Sequence, residues 1–290
     1  VSRANGGRND AVLSLSIILL VLLAGLIHAV WNALAKGIGS QSTSFALMNL
    51  GIAVVSWLAL PFIGLPRAQA WPFVLASVAC HIGYQLFLMG SYERANFSRA
   101  YPIARGVAPL LVSLGALVFA SEHVGLKGLA GIVFIVIGIV SLAYVRNATR
   151  LDRVGVYWAL ATGVAIAVYT VVDGLGVRKS HDTLRYAVVL FALQATIWLV
   201  AVVWRRGWRW TDRPSTFSIG IIAGLMSLVA YTLVLYAQTR APLGVVSALR
   251  ETGVVWAAAI GVVIFKEGKA RAIMVPALAV VVGIALLSLH

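Results

Sequence analysis

The chain has 290 residues, 61% of them hydrophobic and only 11% charged, with a formal net charge of +14 and a mean hydropathy of +0.96. An ordinary soluble domain carries about 25% charged and 45–50% apolar residues, so too little polar surface is present to cover a water-soluble fold. The basic balance would suggest nucleic acid, but the Lys and Arg lie in short stretches between apolar runs, which fits loop charge that orients membrane helices, and nucleic-acid binding is set aside.

In chain order, a polar tail over 1–11 precedes an apolar run too long for a signal peptide, which reads as a retained helix. A helix needs about 20 apolar residues to cross the hydrocarbon core. Runs of that kind are predicted near 12–35, 44–64, 72–91, 99–119, 126–145, 154–174, 185–204, 216–237, 243–265 and 271–289. A β-barrel would show alternating segments of about ten residues instead, and inside lipid only helices or closed barrels satisfy their own backbone. The links between runs are short and carry most of the charge. They leave no room for a nucleotide-binding domain, and no GxxxxGK[ST] motif is present. Cys80 is the single cysteine, so neither an intramolecular disulfide nor a cysteine-based metal centre is expected, and no cofactor is implied.

The two halves resemble each other. Arg250 follows Arg105 by 145 residues, Glu267 follows Glu122 by 145, and Ala241 follows Ala95 by 146. A repeat of five helices makes the second copy enter the membrane from the opposite side. The expected fold is therefore an all-α membrane protein of ten transmembrane helices in two inverted five-helix repeats, 12–147 and 148–290. That is a common plan in secondary transporters, with the substrate site near the midplane between the halves.

Certain tracts carry a family resemblance. These are Trp31-Asn32-Ala33-Leu34-Ala35-Lys36 at the end of the first helix, Pro109 with the run to Ser121-Glu122-His123, and Phe265-Lys266-Glu267. Together with ten helices in two fives, they resemble the drug/metabolite transporter superfamily in its ten-helix EamA branch. The tracts Tyr101-Pro102-Ile103-Ala104-Arg105-Gly106 and Tyr169-Thr170-Val171-Val172-Asp173-Gly174 look most like bacterial aromatic amino-acid exporters. The resemblance implies a central cavity lined by helices 1–4 and 6–9, with helices 5 and 10 packed outside. Small four-helix members of the superfamily use a membrane Glu in helix 1. Here that helix has His28 and Asn32 but no carboxylate, so that proton-coupled mechanism does not carry over.

Polar side chains in a membrane interior are costly and often mark a substrate path; residues three and four apart share a helix face. Helix 3 places His81, Tyr84 and Gln85 on one face, either as substrate ligands or as an interhelical hydrogen-bond cluster. Helix 4 places Tyr101 and Arg105 one turn apart with Pro102 between them, a site for a bend. Arg105 would bind a substrate carboxylate, snorkel to a headgroup, or pair with Glu251 or Asp173. Helix 9 aligns Ser247, Arg250 and Glu251, which suits a zwitterion or forms an internal salt bridge. Helix 6 shows a stripe of Trp158, Thr162, Ala165, Tyr169 and Asp173 at helical spacing, which either lines the cavity or packs the bundle, with a solvated membrane edge the alternative place for Asp173. Tyr231 aligns near Gln85 through the repeat, while His28 and Asn32 are weaker candidates. Trp198, Trp204, Trp208 and Trp210 read as interfacial anchors. Gly131 and Gly138 on helix 5, with Ala272 and Ala279 on helix 10, let helices approach closely. They pack helix 5 on helix 10 or support a dimer, and the internal contact is favoured.

The amino end and even-numbered links hold 8 Lys and Arg, the odd-numbered links 13. The positive-inside rule then puts both termini outside, whereas the resemblance puts both in the cytoplasm.

The expected function is a secondary exporter of small metabolites, foremost aromatic or large neutral amino acids, in a bacterial inner membrane. Alternatives are hydrophobic cations or drugs, which want a buried unpaired carboxylate such as Glu251, and lipid-linked sugars. An enzyme is not expected, because HExxH, GxSxG and double-Asp motifs are absent. The partners expected are an amino-acid substrate and the bilayer, with the chain a monomer or weak homodimer. The residues expected to bind substrate are His81, Tyr84, Gln85, Tyr101, Arg105, Trp158, Tyr169, Tyr231, Arg250 and Glu251, and no metal site is expected.

Overall fold

A computed structural model describes residues 14–36, 41–94, 97–145, 153–206, 214–263 and 271–288. All regular structure among them is helical: α1 (Leu15–Lys36), α2 (Gln41–Ile63), α3 (Trp71–Arg94), α4 (Phe97–Phe119), α5 (Leu126–Val145), α6 (Arg153–Ser180), α7 (Thr183–Arg206), α8 (Pro214–Gln238), α9 (Leu243–Glu251), α10 (Gly253–Val263) and α11 (Arg271–Ser288), with a 3-10 turn over Ala68–Ala70. Six described segments are long and apolar enough to cross a membrane, and three shorter apolar helices accompany them. The protein is a multi-pass membrane protein.

Nine of the ten expected spans are single helices. The ninth is broken at Thr252 into α9 and α10. There the backbone closes a turn, with Thr252 N–H donating to Leu249 O at 3.2 Å and its hydroxyl to the same oxygen at 2.6 Å. The sixth helix runs on to Ser180, beyond the expected end.

Lipid contact and core are sorted by helical period. On α1, Leu15, Leu19 and Leu23 are exposed at four-residue spacing, while Ile18, Val21 and Ala24 are buried. Thr162, Thr170, Thr196 and Thr232 donate their hydroxyls to the carbonyl four residues back, which satisfies them inside an apolar bundle.

Helix pairings exchange when each helix of the first half is swapped with its counterpart in the second, α9 and α10 counting as one. Thus α3 packs on α6 as α8 packs on α1, α4 on α6 as α10 on α1, and α2 on α8 as α7 on α3. Three pairs map onto themselves: α2 with α7, α4 with α9, and α5 with α11.

The internal pairing of α5 with α11 is therefore present. A Cβ on Gly131 would sit 2.8 Å from Gly283 O, and one on Gly138 2.7 Å from Pro276 O. On α11 the close partners are Gly283 and Pro276 rather than the expected alanines. Ala279 is half-buried, and the Ala272 side chain lies outside the described residues. Trp204, near the end of α7, is 85% exposed. Trp198 is only 4% exposed and is corrected to a core residue, because α7 turns that face toward the bundle. Trp208 and Trp210 lie outside the described residues.

Candidate substrate-binding site

Two polar clusters occupy the bundle interior. The first gathers around Glu251, the last residue of α9. Arg105 on α4 reaches Glu251 Oε2 through Nη1 at 2.9 Å. Arg250 holds the other oxygen, with Nη2 at 2.8 Å and Nε at 3.0 Å from Oε1. Arg105 Nη2 also lies 2.5 Å from His28 Nε2 on α1. Glu251 is fully buried, and Arg105 and Arg250 are 6% and 3% exposed. Two guanidinium groups against one carboxylate leave this cluster with a surplus positive charge.

The second cluster gathers around Asp173 on α6. Its carboxylate accepts hydrogen bonds from Tyr231 Oη at 2.5 Å and Tyr186 Oη at 2.9 Å, and lies 3.0 Å from His81 Nε2. Donors from α3, α7 and α8 thus converge on one acid of α6. Asp173 is fully buried, which corrects its placement at a solvated membrane edge. Because α6 continues to Arg178, Lys179 and Ser180, Asp173 lies two turns inside the helix.

Tyr169, one turn before Asp173, stands between the clusters. Its ring stacks on His81 with centroids 4.2 Å apart, and Arg250 Cζ lies 6.0 Å from its centroid. Tyr84 and Tyr231 meet the same ring edge-on at 5.4 and 6.0 Å. Among the described residues, the buried polar atoms without a hydrogen-bond partner include Gln85 Oε1, one turn from His81, and Ser247 Oγ, one turn before Arg250.

The sequence-derived set is largely brought together. His81, Tyr84, Tyr169 and Tyr231 share one aromatic cluster, and Arg105, Arg250 and Glu251 share one charge cluster. Trp158 is half-buried and meets Phe87 edge-on at 6.0 Å. The Tyr101 side chain lies outside the described residues. Asn32 donates to His28 O on its own helix. Of the options open for Arg105, the structure takes pairing with Glu251.

A third polar assembly closes one end of the bundle. Glu122, on the link after α4, lies 2.6 Å from Arg178 Nη1 at the end of α6 and accepts the backbone N–H of Leu243 at 2.7 Å. Arg178 also donates to Gln238 O and Ala241 O at 2.8 and 3.1 Å. Ser121 takes a left-handed conformation, φ 54, which ends α4 and turns the chain at Glu122.

The helical bundle and its buried charges suit a solute carrier, and comparison with known proteins bears on that reading. Residues 153–289 match the model of the EamA-like transporter family. That match covers the second half, with α6 to α11 and the residues Tyr169, Asp173, Tyr231, Arg250 and Glu251. It points to a transporter of small molecules rather than an enzyme. No curated protein sequence matches the chain. A solved crystal structure aligns over 93% of this chain and 94% of its own, with a TM-score of 0.75 and 18% identity, a likeness of fold. Tyr186 was not among the residues expected at the site, and Glu122 stood only as a marker of the repeat and of the family resemblance. A polar residue inside an apolar helix was the signal for the first, and an acid at a helix end for the second.

Proposed function

We propose that this chain is a secondary exporter of amino acids with aromatic or large neutral side chains, placed in a bacterial inner membrane. It works by alternating access of two inverted five-helix halves. The observation that carries this reading is the charge separation in the buried core. The Arg105–Glu251–Arg250 cluster has one positive charge in surplus, and the Asp173 cluster supplies an acid. Tyr169 lies between them, with the rings of Tyr84 and Tyr231 edge-on to it. A zwitterion with an apolar or aromatic side chain is complementary to such a core.

The break at Thr252 supports the same reading. Discontinuous helices at the substrate site are a recurrent device of inverted-repeat transporters. The exchangeable helix pairings fit two halves that rock about shared contacts. Arg250 carries the substrate carboxylate, with Arg105 and Glu251 setting its position.

A hydrophobic-cation exporter would want Glu251 unpaired, and two guanidinium groups hold it instead. The test is uptake and counterflow of a labelled amino-acid panel in proteoliposomes, with Tyr101→Ala and Arg105→Ala beside the native chain. Flux of one amino-acid class, lost in both variants, supports the proposal. Folded protein without amino-acid flux overturns it and turns the search to cationic drugs and lipid-linked sugars.

A further inference from the structure

We infer that Asp173 and His81 together form a proton-binding site whose occupancy is linked to that of the arginine cluster across the Tyr169 ring.

Asp173 is fully buried, and among the described residues its hydrogen-bond partners are Tyr186 Oη, Tyr231 Oη and His81 Nε2, with no Arg or Lys. With a neutral imidazole, this cluster carries a full negative charge in the bundle interior, held only by hydrogen bonds. One added proton removes that charge, whether it resides on the carboxylate or on the imidazole. In the first case an acid faces a neutral ring; in the second, an imidazolium faces a carboxylate. A buried charge is costly without a partner, so a gain or loss of this proton changes the energy of the packed core.

The titratable neighbours are few. From α3 they are His81 and Cys80; from α7, Tyr186; from α8, Tyr231; from α6 itself, Tyr169. Arg105 on α4 and Arg250 on α9 are engaged with Glu251. Arg185, next to Tyr186, pairs with Asp182 at the surface, 3.3 Å away. The 3-10 turn over Ala68–Ala70 adds no titratable group.

The size of the ligand follows from the packing. A carboxylate has about four acceptor positions, and three are taken by side chains fixed in the core. The ammonium group of a substrate reaches this acid only by displacing one of these donors, a rearrangement that belongs to substrate binding and not to the resting site. A sodium ion would require both tyrosines to turn their oxygen lone pairs inward. A proton requires neither.

The link to the arginine cluster is the aromatic stack. His81 lies on one side of Tyr169 at 4.2 Å between centroids, and Arg250 Cζ lies 6.0 Å from the same ring. Moreover, His81 belongs to the first half, while Asp173, Tyr186 and Tyr231 belong to the second. The proton therefore alters a contact that must rearrange if the halves move. This link to transport rests on the proposed function; the proton site itself does not.

The test is a count of protons taken up by the purified full chain in lipid nanodiscs after a pH drop, read with an indicator dye. The native chain is expected to take up one proton more than the double variant Asp173→Asn with His81→Gln, which leaves neither the carboxylate nor the imidazole to hold it. Tyr186→Phe, which keeps both the acid and the imidazole, should match the native count. If that double variant does not fold, His81→Leu with Asp173→Leu removes both partners together and supplies the comparison, since paired apolar replacement is tolerated better than half of a pair. Equal uptake by the native chain and a folded variant lacking both groups overturns the inference. So does a sodium-dependent signal in place of the proton count. Amino-acid flux without the proton difference sinks this site and leaves the transporter reading standing; a proton difference without flux does the reverse.

Discussion

Glu122 caps a helix that lies 121 residues further along the chain: its carboxylate accepts the backbone N–H of Leu243 at 2.7 Å. Leu243 is the first residue of α9, and the last two residues of α9 are Arg250 and Glu251. All nine residues of that helix are buried. A short rigid rod thus joins an end-of-bundle contact to the charge cluster in the core. Arg178 strengthens the contact by holding Glu122 and two carbonyls of the α8–α9 turn.

Replacing Glu122 by Ala is expected to release this end of α9. Loss of an N-terminal cap costs about 1 kcal/mol, which corresponds to about fivefold faster amide exchange at Leu243. Glu122→Gln keeps an acceptor for the amide and should retain most of the protection. Hydrogen exchange followed by mass spectrometry in nanodiscs checks both. Unchanged exchange in Glu122→Ala would mean that the cap does not hold the helix.

Glu251→Gln is expected to be among the most damaging single changes in the core. It leaves Arg105 and Arg250 facing each other without their acid. Breaking a buried pair by removing one partner costs about 3–5 kcal/mol. Adding Arg105→Met to Glu251→Gln removes one of the two stranded charges and should recover a large part of that loss. Thermal unfolding of the lipid-reconstituted protein reads the difference, and a double variant as unstable as the single one would contradict the pairing.

Two glycines give opposite expectations. A Cβ on Gly138 would sit 2.7 Å from Pro276 O and 2.7 Å from Val280 Cγ2, while one on Gly83 meets nothing within 4 Å. Gly138→Ala therefore forces α5 from α11 and should cost about 1–3 kcal/mol. Gly83→Ala should be neutral or stabilising by about 0.5–1 kcal/mol, since alanine is the better helix former. Melting temperatures of the two variants, measured side by side, decide this.

Much of this was written in hydropathy. Apolar length located the helices, because a helix in lipid has no other way to satisfy its backbone. The break at Thr252 escaped that reading. Thr252 and Gly253 are as acceptable inside an apolar run as beside one. What ends α9 is the Thr252 hydroxyl on Leu249 O and the close approach of Gly253 to Gly25, which is tertiary information. Asp173 was visible on the α6 stripe with Tyr169, but its depth depended on where α6 ended. Arg178 and Lys179 look like a loop in sequence and are the last turn of the helix in space. The Arg105–Glu251 pair was one of several options, since the repeat aligned Arg105 with Arg250 without saying which acid either one meets.

Tyr169 separates the two clusters and meets both through its ring. It stacks on His81 at 4.2 Å and meets Tyr84 and Tyr231 edge-on, an arrangement that a phenyl ring reproduces. Tyr169→Phe should therefore keep amino-acid counterflow within about twofold of native, since aromatic contacts of this kind contribute about 0.5–1.5 kcal/mol beyond buried area and remain. Tyr169→Ala removes the ring and opens a void between His81 and Arg250. A loss of about tenfold or more in kcat/KM is expected, about 1.4 kcal/mol of transition-state binding. Counterflow in proteoliposomes measures it, with thermal unfolding alongside to separate flux from folding. A folded Tyr169→Ala protein with native flux would remove this ring from the transport path and leave the two charge clusters as independent structural pairs.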